Sequence, residues 1–159
     1  MLFRSVVRWW DIAPASEAEL ADEELAPDVT PRWAFIIVWN GRDVGFIQYY
    51  HPYPEMTWTA GIDIFIGEPD ARDHGVGTEA VRVMLDYVFH VKHVHRVTID
   101  PVAENARAIR AYEKAGFRLD RRLRHNDRRG DGTYVDTQCL SILDEEWPAA
   151  RAAWLSHSQ

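Results

Sequence analysis

Short apolar runs set off by turn residues mark three consecutive strands near the front of the chain. They are Arg32 to Trp39 (RWAFIIVW), Val44 to Tyr50 (VGFIQYY) and Trp58 to Ile66. In the third, Ile62, Ile64 and Ile66 fall on one face and Asp63 and Phe65 on the other, because side chains alternate along a strand. Asn40-Gly41 is a hairpin signal between the first two, although Arg42-Asp43 would make the loop longer than two residues. The stretch HPYPEM is a proline-rich connection before the third strand. The period then changes. Val76, Ala80, Met84 and Val88 recur at helical spacing, with Val81, Leu85 and Phe89 beside them, and predict a helix from Val76 to about His90. Arg96 to Asp100 reads as a short strand and Ala103 to Ala115 as a second helix, stopped by Gly116. Phe117 to Arg124 and Tyr134 to Leu143 are two further strands, joined by the charged linker HNDRRGDG, and the tail from Asp144 is helical and carries tryptophan. Ahead of all this, MLFRSVVRWWDI closes a short helix, and Ser16 with Glu19 has capping-box spacing for the acidic helix SEAELADEEL, whose carboxylates read as a solvated face. This order predicts an α/β (α+β mixed) fold, with antiparallel strands first and a crossover later.

Composition narrows the function classes. A length of 159 residues predicts a single domain over 1–159, and 47% hydrophobic with 27% charged residues is ordinary globular composition. The net charge of −7 argues against nucleic acid as a partner and tilts toward a cationic substrate. The single cysteine, Cys139, excludes an internal disulfide, and its strand-like surroundings VDTQCLSIL read as a buried small hydrophobe. No apolar run approaches a membrane span and the N-terminus lacks a signal-peptide pattern, so no membrane partner and a soluble, cytoplasmic protein are expected. His90, His93 and His95 invite a metal reading, but no Cys or carboxylate completes the set. No metal is expected.

The richest stretch runs from Gly61 to Thr78, GIDIFIGEPDARDHGVGT: a strand, a loop and the first turn of a helix. Glycines at a helix start let the backbone approach a ligand, and the free N–H groups there favour an anion. A strand carboxylate followed by such a cradle suggests an enzyme using a phosphorylated cofactor. A Walker loop would need Gly-Lys-Ser/Thr where this chain has Gly77-Thr78, and a Rossmann fingerprint would open the first βα unit. The bland alternative is an ordinary strand–loop–helix connection.

Arg72-x-x-Gly75-x-Gly77 resembles the pyrophosphate-binding turn of the GNAT superfamily of acyl-CoA N-acyltransferases. A second segment, IDPVAENARAIRAYEKAGF from Ile99 to Phe117, is similar to a recurring superfamily pattern at Asn105, Ala108, Ile109, Tyr112, Glu113, Lys114, Gly116 and Phe117. Within the superfamily, Trp9-Trp10, Asn40-Gly41, the strand GFIQYY, Gly61-Ile62-Asp63, Gly75 to Thr78 and Asp100-Pro101 look like the aminoglycoside 6′-N-acetyltransferases. A related branch acylates hydroxylated lysine in siderophore assembly. The resemblance implies a central, mostly antiparallel twisted sheet flanked by helices. It also implies a first strand and helix ahead of Trp9-Trp10 for which this sequence has no counterpart, an incomplete edge that would suit a homodimer.

The implied reaction moves acetyl from acetyl-CoA to an amine of a small cationic acceptor. By resemblance, the N–H groups of Gly75, Val76, Gly77 and Thr78 face the pyrophosphate, with charge from Arg72 and His74 and a hydroxyl from Thr78. The backbone of Phe65 and Ile66 pairs with the pantetheine arm. Asp63 binds the reacting amine and accepts its proton, and Tyr112 protonates the departing sulfur. Asp100 is a second amine-binding carboxylate, or Asp100-Pro101 is turn chemistry. Asn105 bonds the pantetheine or caps its helix. Trp9, Trp10, Gln48, Tyr49 and Asp131 are acceptor-pocket candidates, although Asp131-Gly132 is equally a plain hairpin turn. The first-choice acceptor is an aminoglycoside 6′-amine. The alternatives are a siderophore-type hydroxylysine and a non-catalytic acyl-CoA-binding module.

Overall fold

Three antiparallel strands, a parallel crossover and a closing hairpin share one sheet in the computed structural model, which describes residues 32–51 and 58–156. The strands are β1 (Arg32–Trp39), β2 (Arg42–Tyr50), β3 (Thr59–Ile66), β4 (Arg96–Ile99), β5 (Arg118–Arg128) and β6 (Tyr134–Leu143). The helices are α1 (Val76–His90), α2 (Ala106–Ala115) and α3 (Trp147–Ser156). The order across the sheet is β1-β2-β3-β4-β6-β5, with β3–β4 the parallel pair. The fold is therefore the expected mixed, mostly antiparallel sheet with flanking helices. The segment SEAELADEEL expected to form an acidic helix, the tryptophan pair Trp9-Trp10 and most of HPYPEM lie outside the described residues.

The turn between β1 and β2 corrects the sequence reading in detail. Asn40 (φ 51°) and Gly41 (φ 74°) make a two-residue left-handed turn, with Trp39 opposite Arg42. The register then slips so that Ile37 faces Gly45 and Val38 faces Asp43, leaving Val44 as the extra residue. A β-bulge, and not a longer loop, absorbs the mismatch. Val44 is fully buried and its carbonyl takes the Gly67 N–H at 2.8 Å, so the bulge also anchors the end of β3.

The core forms where α1 meets the sheet. Val81, Leu85 and Val88 of α1 are fully buried in one cluster with Ile62, Val97, Leu140 and Ile142 of the sheet and Trp147 of α3. Each such aliphatic side chain contributes ~1.5–3 kcal/mol relative to an exposed one. Trp147 donates its indole N–H to Asp86 of α1 at 3.2 Å, which satisfies a buried donor. Helix α2 begins later than its sequence suggests. Ala103 donates to Asp136 at 2.8 Å and Val102 bridges Thr137, so this segment bonds to β6 before the helix starts at its Asn105 cap. Gly116, at φ 110°, ends α2 in the left-handed conformation.

Candidate active site

A cavity of about 430 Å³ opens where β3 and β4 part. Their parallel ladder runs only from Thr59↔Arg96 to Gly61↔Thr98. Beyond it, β3 stays paired to β2 on its other edge as far as Ile66. The chain leaving β4 turns away to β6, where the Pro101 carbonyl accepts the Gln138 N–H at 2.9 Å. The strands separate, and the β4-facing edge of β3 from Asp63 to Ile66 lines the opening. Such an edge offers N–H and C=O groups to an extended ligand.

One end of the cavity is built to take an anion. Gly75 precedes α1 at φ 80°, a conformation that strains any residue with a Cβ, and a Cβ there would meet open space. The first α1 hydrogen bond runs from Glu79 N to Gly75 O at 3.0 Å, so the N–H groups of Val76, Gly77 and Thr78 have no partner inside the helix. Arg72 braces the loop: its guanidinium donates to the carbonyls of Ile66 at 3.2 Å and Gly67 at 3.0 Å. Arg107, Arg110 and Lys114 of α2 line the same cavity, and Arg107 lies 3.8 Å from Asp73. These three cations were missed by motif reading, although their spacing at i, i+3 and i+7 puts them on one helical stripe. The residues present fit a phosphate-bearing ligand: free helix N–H groups, an open left-handed glycine and several cations.

The other side of the cavity is acidic. Asp63 is half-buried, and Gln48, buried beside it, donates Nε2 to Asp63 Oδ2 at 2.8 Å. Desolvation raises the Asp63 carboxyl above its usual range, opposed by the Gln48 hydrogen bond and the charge of Arg32. Asp100 follows β4 directly. Desolvation, then the like charges of Asp63 and Asp127, push it up to about 6 against its own backbone hydrogen bond. Tyr112 of α2 is buried and lines the cavity too, and burial together with Asp63 and Asp100 pushes its phenol well above the ordinary range. It therefore stays a neutral O–H donor at working pH. Tyr50, which the sequence reading passed over, is pushed up to about 12 by burial and then by the same two aspartates. Its ring fills the space above Gly61, where a Cβ would fall 2.3 Å from a ring carbon, and Arg32 lies 5.6 Å from the ring centroid. The glycine of Gly61-Ile62-Asp63 is thus explained by the room it leaves for an aromatic ring.

The structure brings Asp63, Phe65, Ile66, Arg72, Gly75, Val76, Gly77, Thr78, Asp100, Asn105 and Tyr112 to one cavity. Asn105 also caps α2, its side-chain oxygen accepting the Ala108 N–H at 3.2 Å. Three expected site residues, His74, Asp131 and Tyr49, lie elsewhere. His74 stacks on Trp39 with ring centroids 5.3 Å apart and lines a separate apolar cavity between β1 and α1. Asp131 is exposed at the β5–β6 turn, where its Oδ1 accepts the Thr133 N–H at 2.8 Å and hydroxyl at 2.7 Å. That is turn chemistry, and the Thr133 bonds hold its carboxyl low. Tyr49 points to the opposite face from Gln48, stacked on Trp33 at 4.8 Å in the core. Among the described residues no group of three or more His, Cys, Asp or Glu is placed to hold a metal ion.

Asp100 gives a direct stability prediction. Its folded pKa of about 6 exceeds the unfolded value near 3.9, so between these pH values the folded state holds the extra proton. Stability from this group therefore falls as pH rises through that window. Asp100→Asn is expected to raise the melting temperature at pH 7 by about 2–4 °C, for a gain of roughly 1 kcal/mol after discounting for the exposure of the group. The gain should vanish below pH 4. Calorimetric scans at pH 4 and pH 7 check this, and a difference that does not change with pH would contradict it.

Residues 4–125 match the family model described as an acetyltransferase (GNAT) domain. The chain is 31% identical over 128 residues to aminoglycoside N(6′)-acetyltransferase type 1 of Klebsiella pneumoniae, covering 70% of this chain and 62% of that protein. It thus spans less than two thirds of the length of such curated relatives. A kanamycin resistance protein of Rhizobium radiobacter is 40% identical over 57 residues, 36% of this chain and 53% of that one. Among solved structures, aminoglycoside acetyltransferase AAC(6′)-Ib in complex with coenzyme A aligns with a TM-score of 0.74 and 27% identity, over 94% of this chain and 89% of that one. A spermidine N-acetyltransferase from Vibrio cholerae, solved with CoA and spermine, has the same fold at a TM-score of 0.75 and 20% identity, over 92% and 86% of the two chains.

Proposed function

Because this chain belongs to the GNAT acetyltransferase family, we propose that it transfers the acetyl group of acetyl-CoA to a primary amine of a small cationic acceptor, with an aminoglycoside 6′-amine as first choice. The observation that carries the reading is the two-signed cavity. Free helix N–H groups with Arg107, Arg110 and Lys114, and the aspartates with Tyr112, line the same opening. An anionic donor and a cationic acceptor can meet there with each charge answered.

The division of labour follows from the groups present. The N–H groups of Val76, Gly77 and Thr78 hold a pyrophosphate, helped by the α2 cations. Acetyl-CoA, when bound, supplies a thioester. The cavity-lining edge of β3 at Phe65 and Ile66 orients an extended arm along the strand. Asp63, steadied by Gln48, holds the acceptor ammonium and takes its proton. Asp100 contributes a second anionic contact. Tyr112, kept neutral, gives its phenolic proton to the departing thiolate.

The test is acetyl-CoA turnover, followed by thiol release, against kanamycin, tobramycin, spermidine, lysine and hydroxylysine. Turnover confined to kanamycin and tobramycin is the expected result. Turnover with hydroxylysine in their place would give the siderophore reading. Tight acetyl-CoA binding without turnover of any amine would overturn the enzymatic reading in favour of a binding module.

A further inference from the structure

Asp127 belongs to the stretch HNDRRGDG, which the sequence presents as a linker, yet it lines the same cavity as Asp63 and Asp100. A bulge brings it there. Strands β5 and β6 pair at Leu123↔Thr137 and again at Asp127↔Val135, so β5 takes four steps while β6 takes two. The surplus is absorbed around His125, at φ 51°, whose N–H donates to Asp136 Oδ1 at 3.0 Å. Asp136 is itself held by Arg122 Nε at 2.8 Å. Bulges re-aim side chains, and this one turns Asp127 inward. There its Oδ2 accepts the hydroxyl of the fully buried Thr137 at 2.8 Å, and its Oδ1 the Asn126 amide at 3.0 Å. Both partners are neutral.

Asp63, Asp100 and Asp127 therefore reach one cavity from three segments, and none of the three forms an ion pair among the described residues. A second feature of the same cavity points to a ligand. Tyr112 lines it at 8% exposure, and its hydroxyl has no hydrogen-bond partner among the described residues. We infer that Asp127 is a third anionic contact for the acceptor, and that the acidic end of the cavity selects molecules carrying three or more cationic amines. This rests on the acceptor reading of the acidic end given above. It deepens that reading by adding a specificity-determining residue and a charge count. An amino acid with a free carboxylate meets three like charges and is rejected.

Asp127→Asn keeps an oxygen for the Thr137 hydroxyl, gives up the exposed Asn126 contact and removes the charge, while the bulge stays held by the bonds of His125 and Arg122 to Asp136. The measurement is calorimetric binding of kanamycin to the protein with CoA present, alongside thiol release from acetyl-CoA. Asp127→Asn is expected to weaken kanamycin binding about 10-fold and leave the acetyl-CoA KM unchanged. It should also move the acid limb of kcat/KM to lower pH, because Asp100 loses one of the like charges facing it. The other groups around Asp100, namely Asp63 of β3, Tyr50 of β2 and Tyr112 of α2, are unaltered. A readout on the native chain backs this up: spermidine, with three amines, should bind at least about 10-fold more tightly than putrescine, with two. Kanamycin affinity within twofold of wild type in Asp127→Asn overturns the inference. So does equal affinity for the two polyamines, or no kanamycin binding by the native chain. Binding that depends on Asp127 without any turnover would keep the inference and sink the transferase reading instead.

Discussion

Asp63→Asn is expected to lower kcat by about 10²–10⁴-fold while leaving the acetyl-CoA KM near its wild-type value, the range typical of removing a positioned general base. The reason lies in how the carboxylate is held. Gln48 donates to Oδ2 at 2.8 Å, so one oxygen is fixed and the other is left for the acceptor. Desolvation lifts the Asp63 carboxyl toward working pH, which makes it a better proton acceptor than an exposed aspartate. An asparagine preserves the Gln48 hydrogen bond through its amide oxygen but can neither attract an ammonium nor take a proton from it. The helix N–H groups and the α2 cations are untouched, so cofactor affinity should survive. The decisive measurement is steady-state thiol release, varying each substrate in turn. An Asp63→Asn enzyme within threefold of wild type would move the base role away from β3. Loss of acetyl-CoA binding would recast Asp63 as a structural support.

The pH profile tests the same picture independently. Asp100 titrates at about 6 beside Asp63, and both must be ionised to attract a cation. The acid limb of kcat/KM therefore belongs to the carboxylate cluster as a whole and not to one residue.

Much of this was readable from the chain, and the exceptions share a physical cause. The bounds of β1, α1 and β6 match those read from the chain: α1 buries one side in the core at helical spacing, while β1 was legible as an apolar run ended by Asn40-Gly41, although only its Ile37 is buried. The cradle at Gly75 and the carboxylate at Asp63 were legible because both break a local rule: glycine where a helix begins, and an acid inside an apolar strand. Periodicity fails where backbone bonding and not side-chain burial sets the conformation. The β5 strand runs on to Arg128 through Arg124-His125-Asn126-Asp127, polar residues with no apolar alternation to announce them. Its register is decided by the bonds of Asp136 and Thr137, which come later in the chain. The same holds for Pro101 to Ala103, which bonds to β6 before α2 begins. Asp127 was missed for this reason; the α2 cations were legible as one helical stripe but belong to no motif, and His74 was misplaced because nothing in its neighbours foretold Trp39 as a stacking partner.

Gly45→Ala is expected to destabilise the fold by about 3 kcal/mol or more, well above the ~1 kcal/mol of an average substitution. A Cβ on Gly45 would lie 2.0 Å from the carbonyl oxygen of Phe65 and 3.0 Å from Cα of Ile66. Both are backbone atoms of β3, so no rotamer change can relieve the overlap. Relief requires β2 and β3 to separate at the pair Gly45↔Ile66. That separation would break the nearby bond from Gly67 N to Val44 O at 2.8 Å, which ties down the end of β3. The damage reaches the site, since Phe65 and Ile66 line the cavity and the Ile66 and Gly67 carbonyls hold Arg72. Gly77→Ala is the control, because its Cβ would meet only Ile66 Cγ1 at 3.8 Å. In urea unfolding, Gly45→Ala should lose much of the wild-type midpoint while Gly77→Ala keeps it. In ligand binding the order should reverse for whatever protein remains folded: Gly77→Ala crowds the anion cradle directly, whereas Gly45→Ala acts only through the strand that carries its wall. Equal midpoints for Gly45→Ala and wild type would mean that the β2–β3 contact relaxes freely, and that the close approach at Gly45 does not fix the geometry of the cavity.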